Sequence, residues 1–458
     1  MKKNKGLFGL LGSSVTILPT TLIAASCNQS TNQKASIETV KAQLKEIWPQ
    51  LSDSEKKSAI KDIAKHLKSD VKLTEDQIHY MIGQLNKDVG SFGAIVWYIK
   101  SVESMIGKEV AYDSAKVAFD KLKLANDSQF DFSNKFDEKT TDIAKPADNK
   151  SIPVVFMDID ETVLQNDWTE ASAMLTGGYT GEKKEEKDLE GNRFAIPGAV
   201  EFINYVHDNG GLVFYNSDMN QSTAVRDAVK KNLKAVGVKF VQDFQFWMRG
   251  SMPYLTENED AITDEKTKDM TKSDAEQLAE SMKFTNKFRD KAWITWTNSK
   301  VAYKLGKKVY KSDRMDGMDN NTDGWQLFNS KVPLKTMMKV GDNFNDFFDR
   351  LSKGKTNDER VQLYRDQNLG ISKFFMAEGA NAKHVEKVTK DKKTTYTLKE
   401  VANPWKQIYV LIPGNSEYGG WNEKLGYGNV YDFYQEILKI VNNKKYKTGP
   451  SAENPTIN

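Results

Sequence analysis

From residue 38 to about residue 125, apolar side chains recur every three to four positions. Val40, Leu44, Ile47 and Leu51 share one face, as do Ile60, Ile63 and Leu67, which is the period of amphipathic helices. Thr74 with Gln77 makes a capping box ahead of Ile78, Met81, Ile82 and Leu85, and residues 113–123 continue the helical pattern. A polar connector follows over about 126–151. From Ser151 onward the pattern changes. Short, uniformly apolar runs at 154–157, 211–215 and 334–340 predict strands buried on both faces. Runs at 238–241, 374–376 and 408–412 extend the series. Helical segments at 199–207 and about 222–235 fall between these runs. Alternating strands and helices predict a doubly wound, mostly parallel, Rossmann-like α/β sheet behind an N-terminal helical region.

The stretch 251–307 breaks this rhythm. It is rich in Lys, Asp, Glu and Thr, with helical stretches near 273–283 and 289–305. It reads as an inserted cap-like segment, with a charged helical surface of no special role as the alternative. The expected organisation is therefore an α/β core at 151–250 and 308–442, preceded by a helical region and connector at 38–150. A polar stalk at 27–37 and a polar tail at 443–458 are expected to be disordered.

Composition adds two constraints. The chain has 458 residues, 39% apolar and 28% charged, with a formal net charge of +3. Lys2, Lys3 and Lys5 supply that whole excess, because no acidic residue precedes Glu38. The remainder is charge-balanced, which argues against a nucleic-acid binder held by phosphate neutralisation. The single cysteine, Cys27, follows a basic start, a moderately apolar stretch and the junction Leu22-Ile23-Ala24-Ala25-Ser26. This resembles a bacterial lipobox, so residues 1–26 are expected to be a lipoprotein signal peptide and Cys27 the lipidated residue. Diacylation is enough for stable anchoring. The expectation is an exported lipoprotein of the cell membrane facing outside.

The chemistry concentrates at the ends of the predicted strands. Residues 154–165 read Val-Val-Phe-Met-Asp-Ile-Asp-Glu-Thr-Val-Leu-Gln, delivering Asp158 and Asp160 to the carboxyl end of a strand, where α/β sheets bind ligands. Adjacent carboxylates repel unless a cation or a shared proton relieves them. The pattern suits a nucleophile, Asp158, beside a proton donor, Asp160. Ser217 follows the second strand after Asn216. Gly341-Asp342-x-x-x-Asp346 follows another. The four histidines form no pair at metal spacing and read as structural or exposed.

Asp158-x-Asp160-x-Thr162, the hydroxyl Ser217, a lysine taken as Lys311, and Gly341-Asp342-x-x-x-Asp346 together resemble the haloacid dehalogenase superfamily of phosphotransferases. The resemblance implies Mg²⁺ held by Asp158, Asp342 and the backbone carbonyl of Asp160, with Asp346 as a ligand or orienting a metal-bound water. It also implies phosphoryl contacts from Ser217, Asn216, Thr162 and Lys311, and an aspartyl-phosphate intermediate on Asp158. Asp160 is expected to be kept protonated by its crowded neighbours. Residues 114–120, 196–202, 341–343 and 418–421 look like the lipoprotein e family of class C acid phosphatases, surface 5′-nucleotidases. That likeness spans roughly 93–434, with a gap at the insertion. It implies small phosphomonoesters, nucleoside 5′-monophosphates first, and a homodimer. It also implies a base stacked on Tyr418, with Trp168 a second stacking candidate. The Lys-x-x-Arg stretch from Lys311 to Arg314 guides the choice of lysine. One departure is Asp218-Met219 where the family often has Asn-Arg. A broad acid phosphatase or phosphotransferase, and a surface binding lipoprotein on a retired phosphatase fold, are the alternatives.

Overall fold

The computed structural model describes residues 89–176, 180–254, 271–273, 276, 288, 291–307 and 309–414. All of these but Val89 belong to one compact unit, Gly90–Gly428. Cys27, Tyr418, His66, His79, the helices expected before residue 89 and most of 255–290 lie outside the described residues. Among the described residues, no helix is long and apolar enough to cross a membrane.

The architecture is a mostly parallel sheet with helices on both faces. In chain order the elements that build it are α1 (Val89–Lys100), α2 (Val102–Ala125), β1 (Ile152–Met157), α3 (Asp167–Thr176), α4 (Gly181–Glu190), α5 (Ala199–Asp208), β2 (Leu212–Tyr215) and α6 (Thr223–Ala235). There follow α7 (Ser299–Gly306), α8 (Lys311–Asn320), β3 (Trp325–Leu327), β4 (Ser330–Val332), β5 (Leu334–Gly341), α9 (Asn345–Ser352), α10 (Asn357–Arg365) and α11 (Ile371–Phe374). The last are β6 (Ala380–Asn381), β7 (Lys383–Lys390), β8 (Lys393–Glu400) and β9 (Lys406–Leu411).

The main sheet runs β2-β1-β5-β9-β6, parallel except for β6. Every residue of β1 and β2 is buried. Alternate side chains feed two cores. Val155, Met157, Val213 and Tyr215 pack with Tyr112, Phe119 and Leu122 of α2 and with α5 and α6. Val154, Phe156, Leu212 and Phe214 pack on the other face with Phe136, Trp247, Met315 and Trp325. Double burial explains why these strands read as unbroken apolar runs.

Register then places the chemistry. Met157 pairs with Tyr215 on one side and with Val340 on the other. One residue further along, Asp158, Asn216 and Gly341 stand abreast at the carboxyl edge.

Three expected elements differ. Residues 374–376 do not form a strand; α11 ends at Phe374, and Phe374 lies against Tyr409 with ring centroids 4.5 Å apart. Residues 238–241 form no strand either, although Val238, Phe240 and Val241 are buried. Their side chains fill the cores from a loop. Within the insertion, the helix expected over 289–305 is confined to α7. The hairpin β7–β8 pairs along all eight positions of each strand and turns through Asp391 and Lys392, both at positive φ.

The connector is packed, not loose. Gly210 has φ +88, and a Cβ there would overlap the backbone carbonyl of Phe132. Gly210→Ala is expected to lower unfolding free energy by about 1–3 kcal/mol from overpacking, with left-handed strain in addition. A denaturant midpoint equal to that of wild type would show that the connector yields freely.

Candidate active site

Asp158 continues β1, its amide donating to the Val340 carbonyl at 3.0 Å. The chain then doubles back. The Ile159 carbonyl accepts the amides of Val163 and Leu164 at 2.9 and 2.8 Å, the Glu161 amide donates to Leu164, and Glu161 itself is left-handed at φ 54. This tight loop sets Asp158, buried, and Asp160, part-buried, at the strand edge while burying Ile159, Val163 and Leu164.

Asp158, Asp342 and Asp346 each present a carboxylate oxygen within 4.8 Å of the others. Asp342 directly follows β5, and Asp346 lies in the first turn of α9. Gly341 is required by close approach, because a Cβ there would overlap the Asp346 carboxylate. The Lys311 ammonium lies between two of the three, 2.6 Å from Asp158 Oδ1 and 2.8 Å from Asp346 Oδ1. Burial alone would lower the Lys311 pKa; Asp158, Asp346 and Asp218 outweigh it and hold the ammonium charged. Burial pushes the Asp158 carboxyl up to about 7, with Lys311 opposing and Asp346 and Asp160 adding to the rise.

Lys311 is the first residue of α8, and Asp349 fixes that helix start. Its carboxylate accepts the amides of Lys311 and Ser312 at 2.7 and 3.0 Å and the Ser312 hydroxyl at 2.6 Å. An acid at a helix N-terminus satisfies otherwise orphaned donors. Sequence reasoning missed Asp349, because a cap supplied from another helix has no local spacing.

Asp160 requires a correction. It is not protonated by crowding. Its Oδ1 is paired with Arg193 Nη1 and lies 3.1 Å from Lys184 Nζ. Burial would raise its pKa, but Lys184 and Arg193 outweigh this and hold the carboxyl well below the usual range. Lys184 also bonds Asp188 at 2.5 Å, and Asn232 grips the Arg193 backbone at both N–H and carbonyl. The sequence showed the like charges nearby but not these cations. Buried Lys184 and Asp188 one helical turn apart were the only local hint.

At the end of β2, Ser217 is buried, with its hydroxyl accepting the Met219 amide at 3.2 Å. The Asn216 side-chain amide donates to the Lys311 carbonyl at 3.1 Å. Arg314, fully buried, donates from Nη1 to the carbonyls of Ser217 and Trp247, each at 2.8 Å, and so ties the loop after β2 to α8. Asp218 is half-exposed among Arg314, Arg249 and Lys353 at 3.4, 3.3 and 3.9 Å. Its charge is compensated locally. Thr162 does not face outward as a ligand; its hydroxyl donates to Asp342 Oδ1 at 3.0 Å. Trp168 is 62% exposed, with Lys187 Nζ 4.7 Å from its ring centroid. His207 is buried and accepts the Val213 amide, and His384 pairs with Asp319.

The donor set fits a hard divalent cation. Three carboxylates face one ammonium, which touches only two of them. Asp342 Oδ2 is buried without a hydrogen-bond partner among the described residues, and burial with the charges of Asp346 and Asp158 pushes the Asp342 carboxyl well above its ordinary range. Oxygen ligands at a buried excess of negative charge suit Mg²⁺ or a similar ion.

Residues 118–278 match the family model described as HAD superfamily, subfamily IIIB (acid phosphatase). Two solved structures are similar to this chain, both of the class C acid phosphatase from Bacillus anthracis. One is 17% identical, covering 77% of this chain and 96% of that one, with a TM-score of 0.37. The other, with tungstate bound, is 17% identical over 79% and 97%, also with a TM-score of 0.37.

Burial raises the Asp158 carboxyl to about 7 and the Asp342 carboxyl above its ordinary range, so cation binding is expected to be linked to proton release. Affinity for Mg²⁺ or Mn²⁺ in EDTA-stripped protein is therefore expected to rise from pH 5 to pH 8, by up to about tenfold per unit for each proton released. Calorimetry in buffers of different ionisation enthalpy reads this directly. A flat affinity over that range would mean the carboxylates are already ionised without the ion.

Proposed function

We propose that this chain, whose residues 118–278 match the acid phosphatase model of HAD superfamily subfamily IIIB, is a Mg²⁺-assisted phosphomonoesterase acting on nucleoside 5′-monophosphates. The observation that carries the reading is the placing of Asp158 within reach of Lys311 and beside two further carboxylates at one strand edge. Asp158, Asp342 and Asp346, with the Asp160 carbonyl, would hold the ion, which supplies positive charge against the phosphoryl oxygens.

In the first step Asp158 attacks phosphorus, the bond to the leaving oxygen breaks, and an aspartyl-phosphate forms. Lys311 compensates charge on the phosphoryl group, and Ser217 and Asn216 stand at the adjoining strand end to meet its oxygens. Water then cleaves the acyl phosphate. Asp160, ionised in the resting site, takes up a proton from solvent as the substrate binds, gives it to the leaving alkoxide, and then accepts the proton of the hydrolytic water. Its salt bridges to Arg193 and Lys184 favour the base half. Both cations use Oδ1, so Oδ2 is the oxygen that exchanges the proton.

Nucleotide preference rests on the sequence resemblance, which assigns base stacking to Tyr418, with Trp168 as the second candidate. Export and tethering through Cys27 to the outer face of the cell membrane, and a homodimer, are proposed on the same ground. The substrates would then be small phosphomonoesters outside the cell.

Phosphate release from nucleoside 5′-monophosphates, sugar phosphates and an aryl phosphate, with Mg²⁺ or with EDTA, tests the reading against Asp158→Asn as control. Metal-dependent release confined to nucleotides is expected. Equal rates on all three classes would make it a broad acid phosphatase, and no metal-dependent release by folded protein would leave a binding protein. Lys311→Ala is expected to lower kcat by about 100-fold, the scale of losing one charge-stabilising donor. Tyr418→Ala should raise KM for nucleotides about tenfold, as loss of one base–aromatic stack does, and leave the aryl phosphate within about twofold. Equal effects on both substrates would remove Tyr418 from base recognition.

A further inference from the structure

We infer that Tyr98 and Tyr112, on the two helices preceding the catalytic sheet, are positioning residues that aim the backbone of the Asp158–Leu164 loop at the cation site. The Tyr112 hydroxyl donates to the Thr162 carbonyl, and the Tyr98 hydroxyl to the Glu161 carbonyl at 3.4 Å. Both rings are almost wholly buried. Tyr112 lies 5.7 Å from Phe202, and its helix is seated on the sheet through Ala115, Phe119 and Leu122. Tyr98 is held by Lys108, whose ammonium lies 3.4 Å from the ring centroid and donates to the Tyr98 carbonyl at 3.0 Å; Ser104 donates to the same carbonyl at 2.8 Å.

A census of the loop's carbonyls shows what the phenols accomplish. Ile159 accepts from Val163 and Leu164, Glu161 from Tyr98, Thr162 from Tyr112, Val163 from Ile196, and Leu164 from Glu161. Among the described residues, the carbonyl of Asp160, which directly precedes those of Glu161 and Thr162, accepts no hydrogen bond. The two phenols take the two carbonyls that follow it and turn them toward the helices. The left-handed Glu161 lies between, a conformation costing about 1 kcal/mol or more that neighbours must impose. Tyr112 also fixes the residue whose hydroxyl orients Asp342. One phenol thereby steadies both a backbone ligand and a carboxylate ligand of the same ion.

This inference rests on the cation-assisted reading above. Its test is direct binding of Mg²⁺ and Mn²⁺ to EDTA-stripped protein by calorimetry, with kinetics and melting temperature alongside. Tyr112→Phe, which deletes one oxygen, is expected to weaken cation binding by about tenfold or more, as loss of an outer partner of a metal site does. It should lower kcat at saturating cation with KM for substrate within about twofold. Tyr98→Phe should act in the same direction but less. Tyr205→Phe is the control for loosened helix docking, because its hydroxyl joins α5 to Asp120 of α2 at 2.7 Å. It should leave cation affinity and kcat unchanged even if it melts earlier. Wild-type cation affinity in Tyr112→Phe, or an equal loss in Tyr205→Phe, would overturn the inference alone. Absence of cation binding by the wild-type protein would overturn it together with the reading beneath it.

Discussion

Three carboxylates, from the ends of two adjacent strands and the helix that follows, converge on a space served by a single ammonium group. That imbalance governs the architecture around it. Like charges in a desolvated setting spread apart unless covalent geometry and packing forbid it. Here β1 is buried on both faces, Gly341 lets the Asp346 carboxylate come against the backbone, and Asp349 clamps the start of α8 so that Lys311 cannot retreat. The fold holds an electrostatic arrangement that loose side chains would abandon. The lone Oδ2 of Asp342 is where the deficit is most acute.

Asp160, two residues from Asp158, lives under opposite conditions. Its charge is matched by Arg193 and Lys184 on one oxygen, and these in turn share Asp188. Neighbouring acids in one loop are thus separated by environment into a group awaiting positive charge and a group already supplied with it. Pairs of titratable groups driven apart in this way mark acid–base division of labour.

Strands buried on both faces left a strong trace in the sequence, so β1, β2, β5 and β9 were legible, and the acids at their ends came with them. Residues 238–241 and 374–376 misled, because an apolar run says a segment is buried but not whether it is extended. The hairpin β7–β8 left little trace, since its side chains are mostly polar and half or fully exposed. Spacing within one loop revealed Asp158, Asp160 and Thr162, order along the chain brought Asp342 and Asp346, and the likeness of Lys311–Arg314 to a family Lys-x-x-Arg stretch brought Lys311. Arg193, Lys184, Asp349 and the two phenols approach from distant segments through single contacts. No periodicity encodes such meetings, which is why the ionisation of Asp160 was misread.

The same hairpin has a bearing on solubility. A ribbon whose strands pair only with each other leaves backbone groups open along its outer part, a template on which another chain can add a strand, although the Val385 amide is taken by Asp316. Lys387, Lys390, Lys393 and Lys399 are spread along the ribbon, and only Lys399 has a salt bridge within it, to Glu386. An approaching strand would have to strip water from several ammonium groups at once. The exposed outer part of the ribbon can therefore meet solvent without inviting aggregation.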